Sequence, residues 1–132
     1  MNKLEAVVCK IDSLENLSIV QFNFNETTLS MMSLGLVNIN IGDKVLLSIN
    51  SSHIAIAKDF NGEISLSNRL ECIIEKLDKG ELLSALTLNV NSIIITSIIT
   101  TNSVNRLNLK QNDKVTAFIK ASEISIQKVI TE

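Results

Sequence analysis

The chain has 132 residues, of which 45% are hydrophobic and 20% charged, with 12 basic and 14 acidic side chains. Such a composition builds one compact domain or two small ones, and excludes a disordered chain. The net charge of −2 and the absence of a lysine or arginine run exclude an extended nucleic-acid footprint, so any anion binding has to be local.

The amino-terminal stretch MNKLEAVVCKID carries charges at Lys3, Glu5 and Lys10, unlike a signal peptide, and no later run reaches membrane length. A cytoplasmic protein without membrane contact is expected. Cys9 and Cys72 are too far apart for a metal knuckle or redox pair and read as buried free thiols. His53 has no companion ligand and reads as an ordinary strand residue, so no metal bound directly by protein is expected.

The segment reappears as SNRLECIIEKLD, with Leu4, Glu5, Lys10 and Asp12 falling on Leu70, Glu71, Lys76 and Asp78 at an offset of 66. Further along, GDKVLLSINSSHIAI matches NDKVTAFIKASEISI, with Lys44, Val45, Ile49 and Ile54 falling on Lys114, Val115, Ile119 and Ile124 at an offset of 70. The chain is a tandem duplication whose halves differ by four residues, and a hairpin is the expected place for that change. A first domain over residues 1–60 and a second over 67–132 follow. DFNGEIS, Asp59 to Ser65, is the polar linker between them.

Within the second half, Leu82, Leu86, Leu88 and Val90 alternate with Leu83, Ala85, Thr87 and Asn89, the period of a strand. SIIITSIIT is β-branched except at Ser92 and Ser97, another strand. TNSVNRLNLKQN is too polar for one, and the spacing of Val104 and Leu107 behind Thr100, Thr101 and Ser103 predicts a short helix with a hydroxyl cap. Val115, Ala117 and Ile119 then alternate with Thr116, Phe118 and Lys120 in a further strand. The expected fold is all-β: two tandem, five-stranded small barrels of the oligonucleotide-binding (OB) type, each with one short helix. A short linker and exposed aliphatic faces predict that the barrels pack together.

Three segments in order, SNRL (Ser67 to Leu70), ITTNSVNRLNL (Ile99 to Leu109) and VTAFIKASEISI (Val115 to Ile126), resemble the molybdenum-binding (Mop, or TOBE) domain of molbindins and molybdate-responsive regulators. That family's motifs read Ser-Ala-Arg-Asn, Ile-Thr-x-x-Ser and Lys-Ala-Ser. The resemblance implies a bound molybdate or tungstate and no organic cofactor. It also implies sites between neighbouring domains of a homo-oligomer, a trimer of two-domain chains or a dimer.

The residues suit that chemistry independently. A tetrahedral dianion needs converging donors, and Ser67, Asn68, Thr100, Ser103 and Ser122 offer hydroxyls and an amide while Arg69 and Lys120 add charge. Ala121 is small enough to let its N–H approach a ligand. A site made only of donors rejects hydrogen phosphate, whose proton finds no acceptor. Taken singly, Thr100 is a helix cap, Ser67 and Ser122 are turn residues, and Arg69 and Lys120 are surface charges. In the first half Asn2, Lys3, Ser30, Ser33, Asn50 and Ser51 occupy the matching positions. Asn50 in place of lysine makes that site the weaker one.

The functional expectation is a binding protein serving oxyanion storage, homeostasis or delivery, with an effector-sensing module of a regulator or transporter as the alternative. Four Phe and no Tyr or Trp argue against single-strand nucleic-acid binding, and the lone histidine argues against catalysis.

Overall fold

The computed structural model describes residues 1–35 and 38–131. Ten strands form two five-stranded sheets, each curled into a half-barrel. The first half supplies β1 (Asn2–Leu14), β2 (Leu17–Phe24), β3 (Thr27–Leu34), β4 (Lys44–Ile49) and β5 (Ala55–Ala57). The second supplies β6 (Asn68–Lys79), β7 (Leu83–Val90), β8 (Ile93–Thr100), α1 (Thr101–Leu107), β9 (Lys114–Ile119) and β10 (Ile124–Val129).

Alternation builds these strands: along β1, Asn2, Leu4, Ala6 and Val8 are buried and Lys3, Glu5 and Val7 exposed, and β6 repeats the pattern. The β2–β3 and β7–β8 loops are two-residue turns, Asn25-Glu26 and Asn91-Ser92, with positive φ at all four residues, the geometry that matches strand twist in a hairpin. Each long first strand carries a bulge, at Cys9 and at Glu75, that bends it so one end pairs with the next strand and the other with the fourth. Cys72 is buried and Cys9, on its bulge, is half-buried. The core repeats as well, with Leu4, Phe22 and Ile49 enclosed in one half and Leu70, Leu88 and Ile119 in the other.

The sheet orders are β10-β4-β1-β2-β3 and β5-β9-β6-β7-β8. Each half therefore gives its last strand away. Ile124 pairs with Ile49 in the first sheet, and Ala55 pairs with Phe118 in the second. The sheets consequently cross the boundary between residues 1–60 and 67–132, and neither contiguous half contains all five strands of its barrel. The linker docks on the second barrel. Phe60 meets Phe118 edge-on at 5.1 Å, and the Lys58 ammonium reaches Asp113 at 3.3 Å and the Asn108 carbonyl at 2.9 Å.

Three expectations change. The four-residue difference does not fall in a hairpin, because the offset of 66 persists through β3 and β8. It falls in the connection to the fourth strand, residues 35–43 in the first half and 101–113 in the second. The longer connection contains α1, capped by the Thr100 side chain and ended by Asn108 in the left-handed region at φ 52°. In the first half the described residues hold no α-helix; positions 36 and 37, which the expected helix would cross, lie outside them. Finally, His53 is not a strand residue. It sits in the 3₁₀ turn Ser51–His53, where its Nδ1 lies 2.9 Å from a Glu123 carboxylate oxygen in the matching turn Ala121–Glu123.

Candidate functional site

Because β10 belongs to the first sheet, the chain must leave β9 and cross between barrels, and the Ala121–Glu123 turn makes that crossing. Lys120 stands at its start in extended conformation and makes no capping bond; the turn is closed by the Glu123 N–H donating to the Lys120 carbonyl at 2.9 Å. The Lys120 side chain is exposed and forms no ion pair among the described residues. The turn packs against β3 of the other half. Ser122 and Ser33 thus face a common groove of about 620 Å³ between β3 and β10, together with Asn38, Ser125 and Lys128.

The matching turn of the first half is arranged differently. Asn50 holds it by accepting the Ser52 N–H at 3.0 Å and the Ser52 hydroxyl at 2.9 Å. The turn packs on β8, where the Ser97 hydroxyl donates to the Ile54 carbonyl at 2.7 Å, and Ser51 is buried beside Asn2. A carboxamide oxygen thus occupies the Ser52 N–H, whereas Lys120 leaves the equivalent position uncapped.

Strand alternation separates two neighbours that the motif reading grouped. Asn68 points inward, and both of its amide hydrogens go to carbonyls, of Ser30 at 3.0 Å and Ile119 at 3.1 Å. Arg69 points outward, its guanidinium 5.6 Å from the ring centres of both Phe60 and Phe118, and it donates to Glu71 at 3.0 Å. The Thr116 hydroxyl donates to the other Glu71 oxygen at 2.9 Å. Ser67 is exposed just before β6, and Lys3 donates to the Ser48 hydroxyl at 3.3 Å.

Thr100 and Ser103 bond to each other: the Ser103 N–H reaches Thr100 Oγ1 at 3.1 Å, and the Thr100 hydroxyl reaches Ser103 Oγ at 2.9 Å. They stand where β8 ends, opposite Leu83, near the close of β6, whereas Lys120 follows the strand that pairs with the start of β6. Strand rise puts on the order of 30 Å along β6 between these groups. One chain therefore brings Lys120, Ala121 and Ser122 together with β3, where Ser30 and Ser33 lie, and Asn50 and Ser51 together with β8. It does not bring Thr100 or Ser103 to Lys120, whereas Arg69 lies across from Phe118, two residues before Lys120.

Sequence reasoning missed Asn38, which lies in the connection to β4, and Ser125 and Lys128, which enter the groove because β10 is exchanged. The perturbed titrations lie outside the groove. Burial pushes the Cys72 thiol up to about 11, and the Lys110 backbone N–H, with Lys58 adding its charge, lowers Asp113. Among the described residues no cluster of three or more His, Cys, Asp or Glu could hold a metal ion, and no helix is long and apolar enough to cross a membrane.

These features define a class of protein: paired small β-barrels interlocked by mutual exchange of a strand, with polar turns at the crossings. The chain belongs to the TOBE-domain family, whose model matches residues 64–126. Among solved structures, it resembles the cytoplasmic molybdate-binding protein ModG, in a form with molybdate bound, at a TM-score of 0.90 and 20% identity over 95% of this chain and 94% of that one. A molybdate-binding protein from Sporomusa ovata matches at 33% identity and a TM-score of 0.50, covering 51% of this chain and 100% of its own. A search among curated proteins finds no match.

Proposed function

We propose that the chain is a cytoplasmic binding protein for tetrahedral oxyanions, molybdate or tungstate, acting in storage, homeostasis or delivery rather than catalysis. The observation that carries this reading is the uncapped Lys120 at the start of a turn that crosses between barrels, in a chain one-third identical to a molybdate-binding protein over that protein's full length. A free cation beside backbone N–H groups and the Ser122 hydroxyl supplies the donors that a dianion needs.

Thr100 and Ser103 then serve a second copy. Their hydroxyls lie at the far end of β6 from Lys120 in the same chain, and an interface between copies is the arrangement that lets both ends contribute to one site. An anion bridging such an interface relieves the repulsion between converging cations and so stabilises the oligomer. In the first half, the Asn50 carboxamide already satisfies its turn, which supports a weaker site there.

Titration calorimetry with molybdate, tungstate and sulfate, beside native mass measurement, tests the reading. Heats from the two larger anions, none from sulfate, and a mass above that of one chain are expected. A flat tungstate titration refutes it.

A further inference from the structure

Asn2 and Asn68, one repeat apart, open β1 and β6, and each uses its side-chain amide as a peptide group would, on the edge strand of the opposite half. Asn68 is fully enclosed, at 0% exposure. Its Oδ1 accepts the Ser30 N–H at 2.6 Å, and its Nδ2 donates to the Ser30 carbonyl at 3.0 Å. Asn2 does the same to Thr96, at 2.8 Å in both directions. β3 and β8 are outermost in their sheets, so a side chain here completes backbone that no strand covers.

The twins differ in their remaining hydrogen. Asn2 directs it to the Ser51 hydroxyl at 3.4 Å, whereas Asn68 donates to the Ile119 carbonyl at 3.1 Å. Ile119 is the last residue of β9 and adjoins Lys120. One planar group therefore ties together β6, the point where the chain turns toward Lys120, and the stretch of β3 that leads to Ser33.

We propose that Asn68 is a positioning residue of the oxyanion site, fixing the Lys120–Ser122 turn against β3 without touching the anion. This rests on the oxyanion reading above. Both amide hydrogens are spent on carbonyls, so none remains for a ligand. Aspartate would set a carboxylate against two carbonyl oxygens, and an apolar residue would leave Ser30 and Ile119 without partners, a costly arrangement in a buried place. Asn2 performs the same coupling beside Asn50, where no cation follows, so the two clamps hold the barrels together while one of them also sets the binding geometry.

The test compares Asn68→Ala with Ser97→Ala, which removes a different buried bond between the halves, that to the Ile54 carbonyl. Asn68→Ala weakens tungstate binding by about tenfold or more and speeds amide exchange at Ser30, while Ser97→Ala leaves the affinity within about twofold. Equal weakening by both variants, or parental affinity in a folded Asn68→Ala protein, overturns the proposal. Should Asn68→Ala not fold, the unmutated protein decides: the Asn68 side-chain amide resonances shift on tungstate addition and saturate with those of Lys120, and their failure to move overturns it. An unmutated protein that binds no tungstate removes the oxyanion reading and this role with it, a result separate from a binding protein indifferent to Asn68.

Discussion

Lys120→Met removes the cation proposed at the site and keeps a chain of similar reach. The lysine is exposed, lacks an ion pair among the described residues and makes no capping bond, so the fold should change in stability by no more than about 0.5 kcal/mol. For a domain of this size that is a shift of roughly 2 °C in melting temperature. Binding loses a hydrogen bond between charged partners, about 1.5–3 kcal/mol, which at about 1.4 kcal/mol per decade weakens the dissociation constant roughly 10- to 150-fold. Calorimetric titration with tungstate reads this, with both proteins at one ionic strength because screening acts over about 10 Å at 0.1 M. A variant with parental affinity refutes the assignment of Lys120. One that melts many degrees lower refutes the claim that this lysine lies outside the fold.

Two further outcomes follow from the packing. Ile124→Ala, at a residue 3% exposed in β10, should cost about 2–4 kcal/mol in denaturant unfolding, with faster amide exchange concentrated in β4 of the first half. Exchange accelerated only in β6 to β9 would contradict the strand exchange. Burial raises Cys72 above its ordinary 9.0 to about 11, so the folded protein keeps a proton that the unfolded chain releases. Its contribution is complete below pH 9 and is lost as pH rises toward 11, at up to about 1.4 kcal/mol per pH unit. Unfolding curves at pH 8 and 10.5 for the parent and Cys72→Ala check this, and an identical pH dependence in both would refute it.

Much of the fold could be read along the chain. The alternation at Leu86, Leu88 and Val90 appears as β7, that at Val115, Ala117 and Ile119 as β9, and the hydroxyl-capped helix begins at Thr101 behind Thr100. The candidate site was less readable. Lys120, Ala121 and Ser122 do share one turn, but Asn68 and Arg69 face opposite sides of β6, with Asn68 spent on Ser30 and Ile119 and Arg69 held against Phe60, Phe118 and Glu71. Ser30 and Ser33, expected to match Thr100 and Ser103, do not, because the length change lies beyond β3 and the strand register matches Ser30 to Thr96.

Periodicity, caps and the duplication are properties of neighbouring residues, and they established strands, helix and repeat without reference to distant contacts. The partner of an outer strand is another matter. Ser52-x-Ile54-x-Ile56 and Ser122-x-Ile124-x-Ile126 are near copies, and β4 and β9 present similar edges, so either strand satisfies either edge by pattern alone. Three-residue turns steer each strand away from its own half, and the linker anchored by Phe60 and Lys58 and the asparagine clamps at Ser30 and Thr96 hold the barrels in contact. Those long-range constraints select the exchanged pairing, and with it the residues that meet at Lys120.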